Sequence, residues 1–463
     1  MAEFLSRVQF ALTAAFHITY PAVTIGLSVF LVGLYAAYWR TGREVYLRAF
    51  RFWRRIFAIG FAIGVVAGLV LTFEFGLNWG IFADRAGPVI GPIIGWEVLT
   101  AFFLEAGFIG IMLYGDGRVR HGVMLFSCAM VTLGTLFSTT WILVANSWMQ
   151  TPVGYEIVDG RFQPVNWLHI IFSPSFDYRF THMLLGALVG AAFFVTGLSV
   201  WWVRRNVHLD VARLCLAVGL AAAAVLMPLQ IYMGSTNSAK TYGARPGILA
   251  AAQGVWYDTT SWPQIIVPNI GAGPGEAPWR SYGIPYLGAY FLNNDPSLTK
   301  PISGMVHVPK DERPNVWIVF YAFHLMLWGA MVLFGTTVAA TLIRLRGKLW
   351  QAHRFHRWLL WLTPLGVVCV ICGWVTAEAG RQPWVVYGLL RTKDALSPLS
   401  TGQVVTTLSG FVLAYLVLCT LYIRFVVRSV REGPEPAPDP GPGQRSERGT
   451  GPEPWPEPKG AGV

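Results

Sequence analysis

A short set of ligand-type and ionisable side chains lies inside long apolar stretches of this 463-residue chain. A charged group at the centre of a membrane helix costs about 2.5 kcal/mol or more, so such residues tend to be retained for function. Imidazole, thioether and carboxylate groups together suit haem iron, and buried carboxylates can relay protons. The set comprises His17, Glu74, Glu97, Glu105, His182, His324, Met326 and Glu378.

Haem iron accepts these groups in two ways. A His/Met pair gives a six-coordinate electron-transfer centre, whereas a single strong ligand leaves a position open for oxygen. A transition metal without porphyrin is an alternative, but the set contains no His/carboxylate pair spaced three or four residues apart that would form a compact site on one helix. Taken singly, each residue is equally well explained as a hydrogen-bonded polar group within the membrane, and Met326 as packing.

Glu97 and Glu105 are eight residues apart on one predicted helix. In a regular helix this spacing is about 12 Å along the axis and roughly 80° around it, so both carboxylates can face one cavity. Two carboxylates at successive depths could relay protons to a buried reaction centre. The alternative is that each is a structural carboxylate bonded to a neighbouring helix.

The elements that carry these residues are predicted to be transmembrane helices. The chain is 54% hydrophobic and 13% charged, and its mean hydropathy is +0.49, which predicts an all-α integral membrane protein. A bilayer requires about 20 apolar residues per helix. The first stretch lacks the basic flank and cleavage site of a signal peptide, so it is predicted to remain as helix one. Nine spans are predicted, at residues 9–38, 56–77, 92–114, 122–148, 176–203, 211–233, 315–343, 358–378 and 403–427.

Basic residues predict the orientation. They concentrate in the connections after the first and seventh spans, which are therefore predicted to be cytoplasmic, with the N-terminus outside and the C-terminus cytoplasmic. His17, Glu97, His182 and Glu378 then lie in the outer half of the membrane, and Met326 lies at or just beyond its inner limit. The net charge of +11 is explained by anchoring at an anionic leaflet, so nucleic-acid binding is not predicted.

Two segments are predicted outside the helix bundle, which comprises residues 1–233 and 315–431. Residues 234–314 form a long external connection, for which aromatic residues favour an ordered lid. Residues 432–463 are rich in Pro, Gly, Glu and Arg and are predicted to be a disordered cytoplasmic tail. The loop aromatics are Trp256, Tyr257, Trp262, Trp279, Tyr282, Tyr286 and Tyr290.

The five cysteines fall in predicted helices, so a disulfide framework is not expected. Cys369 and Cys372 form a C-x-x-C pair, but no histidine follows it, and covalent haem attachment is not indicated.

Several local sequences resemble subunit I of cytochrome bd oxidases. The resemblance extends in order from helix one to helix nine, and its most specific part is the G-R-Q-P-W run from Gly380 to Trp384. The matching runs are RVQFALTAAFHITYPAVTIGLS from Arg7, GWEVLTAFFLEAGFIGIMLYG from Gly95, WILVANSWMQ from Trp141, YRFTHMLLGA from Tyr178 and GWVTAEAGRQPWVVYGLLRT from Gly373.

The resemblance implies three haems: a low-spin haem b, a high-spin haem b and a haem d, or a third b-type haem in its place. His182 and Met326 would be the axial ligands of the low-spin haem. His17 and Glu378 would each hold one of the other two, with Glu97 at or beside the oxygen-binding iron.

The same resemblance implies roles for three further residues. Trp374 would lie between haems, Arg381 would pair with a haem propionate, and Glu105 would be the next carboxylate on the proton route. The implied reaction is reduction of oxygen to water in a bacterial or archaeal cytoplasmic membrane. The implied partners are a second membrane subunit, with small accessory subunits left open, and quinol or another electron donor.

The chain departs from the family pattern at several positions. Ser147 stands where glycine is usual, and His324 stands where an arginine usually precedes the ligand methionine by two. Residues two apart on a helix face apart, so His324 and Met326 are not expected to bind one iron, and Met326 is the preferred ligand. His324 would compensate the charge of a propionate weakly, because imidazole is mostly neutral at pH 7.

The predicted external loop differs from the family pattern more than any other segment. The family run resembles Q-P-x-K-L-A-A-x-E-G-x-W, whereas this chain reads ARPGILAAAQGVW from Ala244 to Trp256, with Ile248 at the lysine position and Gln253 at the glutamate position. Neither side chain exchanges a proton at neutral pH. The hypothesis is that the usual quinol site is lost, in favour of a displaced site or a non-quinol donor. The alternatives are an alignment shifted to Lys240, or quinol whose protons leave through Asp258.

Two other classes of protein are considered. A di-haem cytochrome b of a quinol reductase complex would need paired histidines on two helices, which the nine histidines do not supply. A secondary transporter could use Glu74, Glu97 and Glu105 as coupling carboxylates, but the repeated halves typical of that class are not evident.

Overall fold

The computed structural model of the chain describes residues 1–267, 282–288, 297 and 299–436. Three two-stranded antiparallel sheets connect helix ends: β1 (Tyr155–Val158) with β2 (Arg161–Pro164), β3 (Gln264–Val267) with β4 (Tyr282–Ile284), and β5 (Trp384–Val386) with β6 (Leu390–Arg391). The α-helices are α1 (Ala2–Thr19), α2 (Pro21–Thr41), α3 (Glu44–Leu77), α4 (Gly80–Glu97), α5 (Phe103–Tyr114), α6 (His121–Gln150), α7 (Trp167–Ile171), α8 (Phe176–Arg205), α9 (Leu209–Ala244), α10 (Pro246–Gln253), α11 (Val316–Leu345), α12 (His353–Trp361), α13 (Leu365–Arg381) and α14 (Thr401–Glu432).

The prediction of an all-α membrane protein is confirmed. Within the described residues, nine helical stretches are long and apolar enough to cross a bilayer, and each overlaps one predicted span. Which end of the bundle faces the cytoplasm stays a prediction.

Several helices are longer than their apolar cores. α3 begins at Glu44 rather than near residue 56, and α9 continues to Ala244 rather than 233. The predicted external connection therefore begins at residue 245 instead of 234. Hydropathy locates only the part of a helix that lipid would surround, whereas the backbone continues helically through polar residues beyond it.

Three spans contain a change of helix geometry. The first is divided at Tyr20, because Pro21 has no N–H to continue the helix and stands at the first position of α2. The third contains a π-helical segment, Val98–Phe102, between α4 and α5. The eighth is divided into α12 and α13 beside Pro364.

Two arginines in the first turns of α3 bind other elements at one end of the bundle. Arg48 at the start of α3 forms an ion pair with Asp210 at the start of α9, and its Nε donates to the Glu435 carbonyl over 2.6 Å. Arg51 pairs with Asp116 at 2.5 Å and with Glu435 at 3.2 Å. The predicted tail thus begins with an anchored segment, and residues 437–463 of that prediction lie outside the described residues.

The described part of the predicted external connection packs on the bundle. α10 lies against α11 and α13, and the Trp262 indole N–H donates to the Gln253 carbonyl over 3.2 Å. Trp256 and Trp262 contact the apolar cluster formed by α10 and α11. Trp279 and Tyr290 from the predicted lid lie outside the described residues, and only the backbone of Tyr282 is described.

All five cysteines are free thiols, as predicted.

Candidate active site

His17 lies near the end of α1, and one of its ring nitrogens is hydrogen-bonded to the backbone. Its Nδ1–H donates to the Gly64 carbonyl of α3 over 3.0 Å. A methyl group at Gly68, one turn further along α3, would lie 3.1 Å from the His17 Cε1, so a larger residue there would press the ring aside. Nε2 makes no hydrogen bond to any described residue, which is the arrangement that orients a metal-binding histidine.

His182 and Met326 also face glycines on neighbouring helices. A methyl group at Gly234 of α9 would lie 3.4 Å from His182 Cε1, and one at Gly373 of α13 would lie 2.9 Å from Met326 Sδ. The Nδ1 of His182 is enclosed and has no partner among the described residues. Both side chains therefore lie against surfaces without side chains and make no polar interaction that would compete with a ligand.

His324 has different surroundings from Met326. It is fully buried, its Nδ1–H donates to the Phe320 carbonyl over 2.9 Å, and its ring stacks on Phe320 with the centroids 4.0 Å apart. Trp328 meets the ring edge-on at 5.6 Å. Met326 instead faces α13, so the two side chains have separate neighbours.

Glu97 and Glu105 both contact α6. The Ser138 hydroxyl donates to Glu97 Oε1 over 2.6 Å, and a methyl group at Gly134 would lie 2.5 Å from Glu105 Cγ. Ser138 and Gly134 are one turn apart on α6, so the carboxylates lie at successive depths along one helix face. A π-helical segment lies between the two residues, and its wider turn reduces the roughly 80° offset expected of a regular helix.

Glu378 near the end of α13 is held by three polar side chains. Its Oε1 accepts from Asn146 over 2.8 Å and from Gln150 over 3.3 Å, and its Oε2 forms an ion pair with Arg381. Asn146 also accepts a hydrogen bond from Arg179 of α8. The carboxylate thus lies where α6, α8 and α13 meet.

Trp374 follows Gly373 on α13 and is half-buried. It precedes Glu378 by four residues, so the two side chains lie on the same face of the helix.

The donors fit haem iron, which needs one or two protein ligands per metal. The preferred ligands His17, His182, Met326 and Glu378 lie on four different helices, α1, α8, α11 and α13. The described residues hold no group of three or more His, Cys, Asp or Glu arranged for a metal ion. The glycines facing His182 and Met326 and the unpartnered His182 Nδ1 are features that a bound porphyrin would use.

The family model for cytochrome bd terminal oxidase subunit I matches residues 5–434. The chain belongs to this family. Among its relatives, cytochrome bd ubiquinol oxidase subunit 1 of Bacillus subtilis (strain 168) is 29% identical over 450 residues, covering 93% of this chain and 94% of the relative. Cytochrome bd-II ubiquinol oxidase subunit 1 of Escherichia coli (strain K12) is 28% identical, covering 93% of this chain and 96% of the relative.

The fold agrees with a solved member. The structure of bd oxidase from Geobacillus thermodenitrificans superposes with a TM-score of 0.87 at 26% identity, covering 94% of this chain and 99% of that one. This bd-family subunit is therefore a multi-pass protein of the cytoplasmic membrane and an oxidoreductase of the respiratory terminal oxidase class, whose members bind haem.

Sequence reasoning did not single out several polar residues of the site. Asn146, Gln150 and Arg179 surround Glu378, and Arg245 lies close to them at the end of α9. The first three lie within the runs that resemble the family, but each is an ordinary helix-end residue in the sequence. Only the meeting of distant helix ends gives them a shared partner.

Glu74 is also part of a network that the sequence did not indicate. Its Oε1 accepts from Thr13 over 2.9 Å, and Thr13 in turn accepts from the Tyr415 hydroxyl over 3.1 Å. This fully buried carboxylate joins α1, α3 and α14, and it is separate from the Glu97 and Glu105 pair.

Proposed function

We propose that this chain is the haem-bearing subunit of a bd-type respiratory oxidase that reduces oxygen to water with protons taken from the cytoplasm. The observation that carries the proposal is the geometry of His17. Its Nδ1–H is fixed by the Gly64 carbonyl at 3.0 Å, and its Nε2 remains available as a ligand.

The proposed cofactors are a low-spin haem b, a high-spin haem b and a haem d, or a third b-type haem. His182 and Met326 would be the axial ligands of the low-spin haem, and His17 and Glu378 would each hold one of the other two. Glu97 would lie at or beside the oxygen-binding iron. When bound, these haems supply the electron storage and the open iron position that oxygen reduction requires.

The residues of the chain would orient the haems, separate them from solvent and deliver protons to the site of oxygen reduction. One turnover consumes four electrons and four protons for each oxygen molecule and yields two waters. Glu105 would receive a proton from the cytoplasmic side and pass it along the α6 face toward Glu97, where the Ser138 hydroxyl holds Oε1 in place. Because protons would cross most of the membrane while electrons arrive from outside, the reaction would separate charge without a pump.

The electron donor is proposed separately. Ile248 and Gln253, at the positions where the family carries a lysine and a glutamate, are 7% and 2% exposed, and Ile248 packs on Gly380. Neither side chain can take a proton from quinol. This favours a second candidate function, an oxygen reductase with a displaced quinol site or a non-quinol donor delivered by a partner subunit.

The proposed partners follow from the family. A second membrane subunit is expected, and small accessory subunits are left open. Large apolar side chains on α14, such as Leu413, Leu416 and Leu421, are exposed and would meet lipid or that subunit.

A reduced-minus-oxidised spectrum of the purified complex tests the haem assignment. Bands of both b-type haem and chlorin are expected, and a preparation without a haem Soret band would overturn the proposal in favour of a carboxylate-coupled transporter. Oxygen uptake with ubiquinol and menaquinol analogues tests the donor. Turnover at ordinary bd rates that Gln253→Ala abolishes would show that the loop is still the quinol site.

A further inference from the structure

Four guanidinium nitrogens are enclosed at one end of the bundle without a hydrogen-bond acceptor among the described residues. They are Nε of Arg179, Nη1 of Arg245, and Nε and Nη1 of Arg381. Arg179 lies in the first turn of α8, Arg245 follows the last residue of α9, and Arg381 ends α13. A charged donor that is enclosed without an acceptor loses its hydrogen bonds to water and forms none to the protein, which is unfavourable in free energy.

The three arginines are close enough to act on one another electrostatically. Burial, followed by the charges of Arg179 and Arg381, lowers the pKa of Arg245 to about 9. The Arg245 guanidinium also lies over the Tyr387 ring, 5.0 Å from its centroid. A nearby anion would stabilise the charged form of each guanidinium.

Among the described residues, the charges around the cluster do not balance it. Glu378 is the carboxylate bonded within it, through Arg381, so three positive charges face one negative charge. Lys240 and Asp177 lie nearby but form their own ion pair at 2.5 Å. The formal excess is two positive charges.

Helix ends do not supply the missing acceptors. α9 and α13 end at the cluster, and each carbonyl end carries about half a negative charge. However, α8 begins there with the opposite partial charge, and the four enclosed nitrogens make no bond to these carbonyls. A ligand that satisfies the site would therefore supply oxygen acceptors that carry about two negative charges.

We propose that Arg179, Arg245 and Arg381 bind the two propionate carboxylates of one haem, with Arg245 supplying the third guanidinium. Arg381 was already expected to pair with a propionate, and Arg179 and Arg245 extend that contact to a dianion site. Planar guanidinium groups bind carboxylates with two parallel hydrogen bonds, which suits a pair of carboxylates on one rigid ring. The inference rests on the proposed haem-bearing function.

Enclosure favours porphyrin carboxylates over a lipid phosphate. Arg245 and Arg381 are only 4% and 5% exposed. α10, which starts directly after Arg245, covers the end of α13 through contact between Ile248 and Gly380. A lipid headgroup would need an open path to these nitrogens, whereas a haem bound among the helices would reach them from within.

The test compares Arg245→Gln and Arg245→Lys with a matched control, Arg213→Gln, in the purified full complex. Arg213 lies in the first turns of the same α9 helix, its guanidinium lies 5.5 Å from the Trp350 centroid, and its Nε is also enclosed without a partner. Haem content, spectroelectrochemical midpoint potentials and bound lipid phosphorus are measured. None of these readouts depends on turnover.

Removing a positive charge beside one haem favours its ferric state. In Arg245→Gln the ratio of oxidised to reduced haem at fixed potential is expected to rise about tenfold, a fall of about 59 mV for a one-electron couple. The other haems serve as internal references. Arg245→Lys keeps the positive charge but not the bidentate geometry, and it is expected to shift the midpoint potential less. Arg213→Gln is expected to leave all haem midpoint potentials unchanged.

Each remaining outcome counts against part of the argument. Unchanged potentials in Arg245→Gln with loss of lipid phosphorus would assign the site to a lipid phosphate, and unchanged potentials with unchanged phosphorus would show that Arg245 binds no anion. If Arg245→Gln does not assemble, Arg179→Gln removes a positive charge from the same cluster, and an unshifted potential in that variant overturns the inference. A wild-type complex without haem would overturn the proposed function itself, which is a separate result.

Discussion

Glu97 and Glu105 lie against the same face of α6, at Ser138 and Gly134, although their spacing in a regular helix would separate them by roughly 80°. The π-helical segment Val98–Phe102 lies between them and accounts for the difference. A wider turn takes up about one residue, so an eight-residue spacing acts as a seven-residue spacing, for which the offset is about 20°. Segments of this kind occur often at functional sites.

Glu105→Gln is expected to lower oxygen consumption by about 100-fold while haem reduction by dithionite stays intact, because an amide cannot relay a proton. Oxygen-electrode rates and haem reduction spectra of the same preparation check this. Glu74→Gln is the matched control, since Glu74 is equally a buried carboxylate in the bundle but bonds to Thr13. Equal losses in both variants would argue for a structural role of buried carboxylates.

His182→Ala and Met326→Ala are each expected to remove the low-spin haem b signal and to leave the other haem bands largely in place. The physical reason is the loss of one of two axial ligands, which opens a coordination position. The α band in the reduced-minus-oxidised spectrum checks this. Met331→Ala on the same helix is the control, because Met331 is 41% exposed. A normal low-spin spectrum in both ligand variants would contradict the assignment.

Much of the fold could be predicted from the sequence because lipid imposes a length and a polarity on every span. All nine predicted spans correspond to helices of the described chain. Their ends could not be predicted, since α9 continues through Lys240 to Ala244 under packing that hydropathy does not register. The π-helical turn also escaped prediction, because VLTAF has no residue that would break a regular helix.

The histidine and carboxylate candidates were identifiable because each is a polar residue in an apolar span, whereas the ligand role of Met326 came from the family resemblance. The arginine cluster was not, since Arg179, Arg245 and Arg381 stand at or just beyond the ends of membrane spans, where long basic side chains commonly reach the interface. Their shared environment depends on three helices ending together, with α10 placed over them. That arrangement is a property of packing between segments that are distant in the sequence, since Arg179 and Arg381 are 202 residues apart.

Asp258, which contacts His307, is expected to make the order of the loop between α10 and α11 dependent on pH. Asp258 Oδ1 accepts from the Gly304 N–H over 2.8 Å and lies 2.9 Å from His307 Nε2. These contacts, the Gly304 bond first, lower the pKa of Asp258 below its ordinary value. A depressed carboxyl pKa stabilises the folded loop above the unfolded pKa of about 3.9, and the stabilisation is lost as the pH falls through the folded value.

Amide hydrogen exchange at Gly304, corrected for intrinsic rates, measures this effect. Protection is expected to fall on acidification below about pH 4 in the wild type and to be nearly independent of pH in Asp258→Asn, which keeps an acceptor oxygen. Asp311→Asn, in the same connection but paired with Arg391 at 2.8 Å, should retain the wild-type profile. The same acid profile in Asp258→Asn would mean that another group titrates.

Gly373→Ala is expected to disturb the low-spin haem without altering any proposed ligand. The added methyl group would lie 2.9 Å from Met326 Sδ, so the thioether must move away from α13. Axial ligands must be held within about 0.5 Å of their productive position, and methionine ligation raises the potential of a haem. The low-spin α band should therefore weaken, and the midpoint potential of that haem should fall.

Gly335→Ala on α11 is the control, because nothing lies within 4 Å of its added methyl group. Alanine there should be neutral or stabilise the helix by about 0.5–1 kcal/mol. An unchanged low-spin spectrum and potential in Gly373→Ala would place the iron away from Met326.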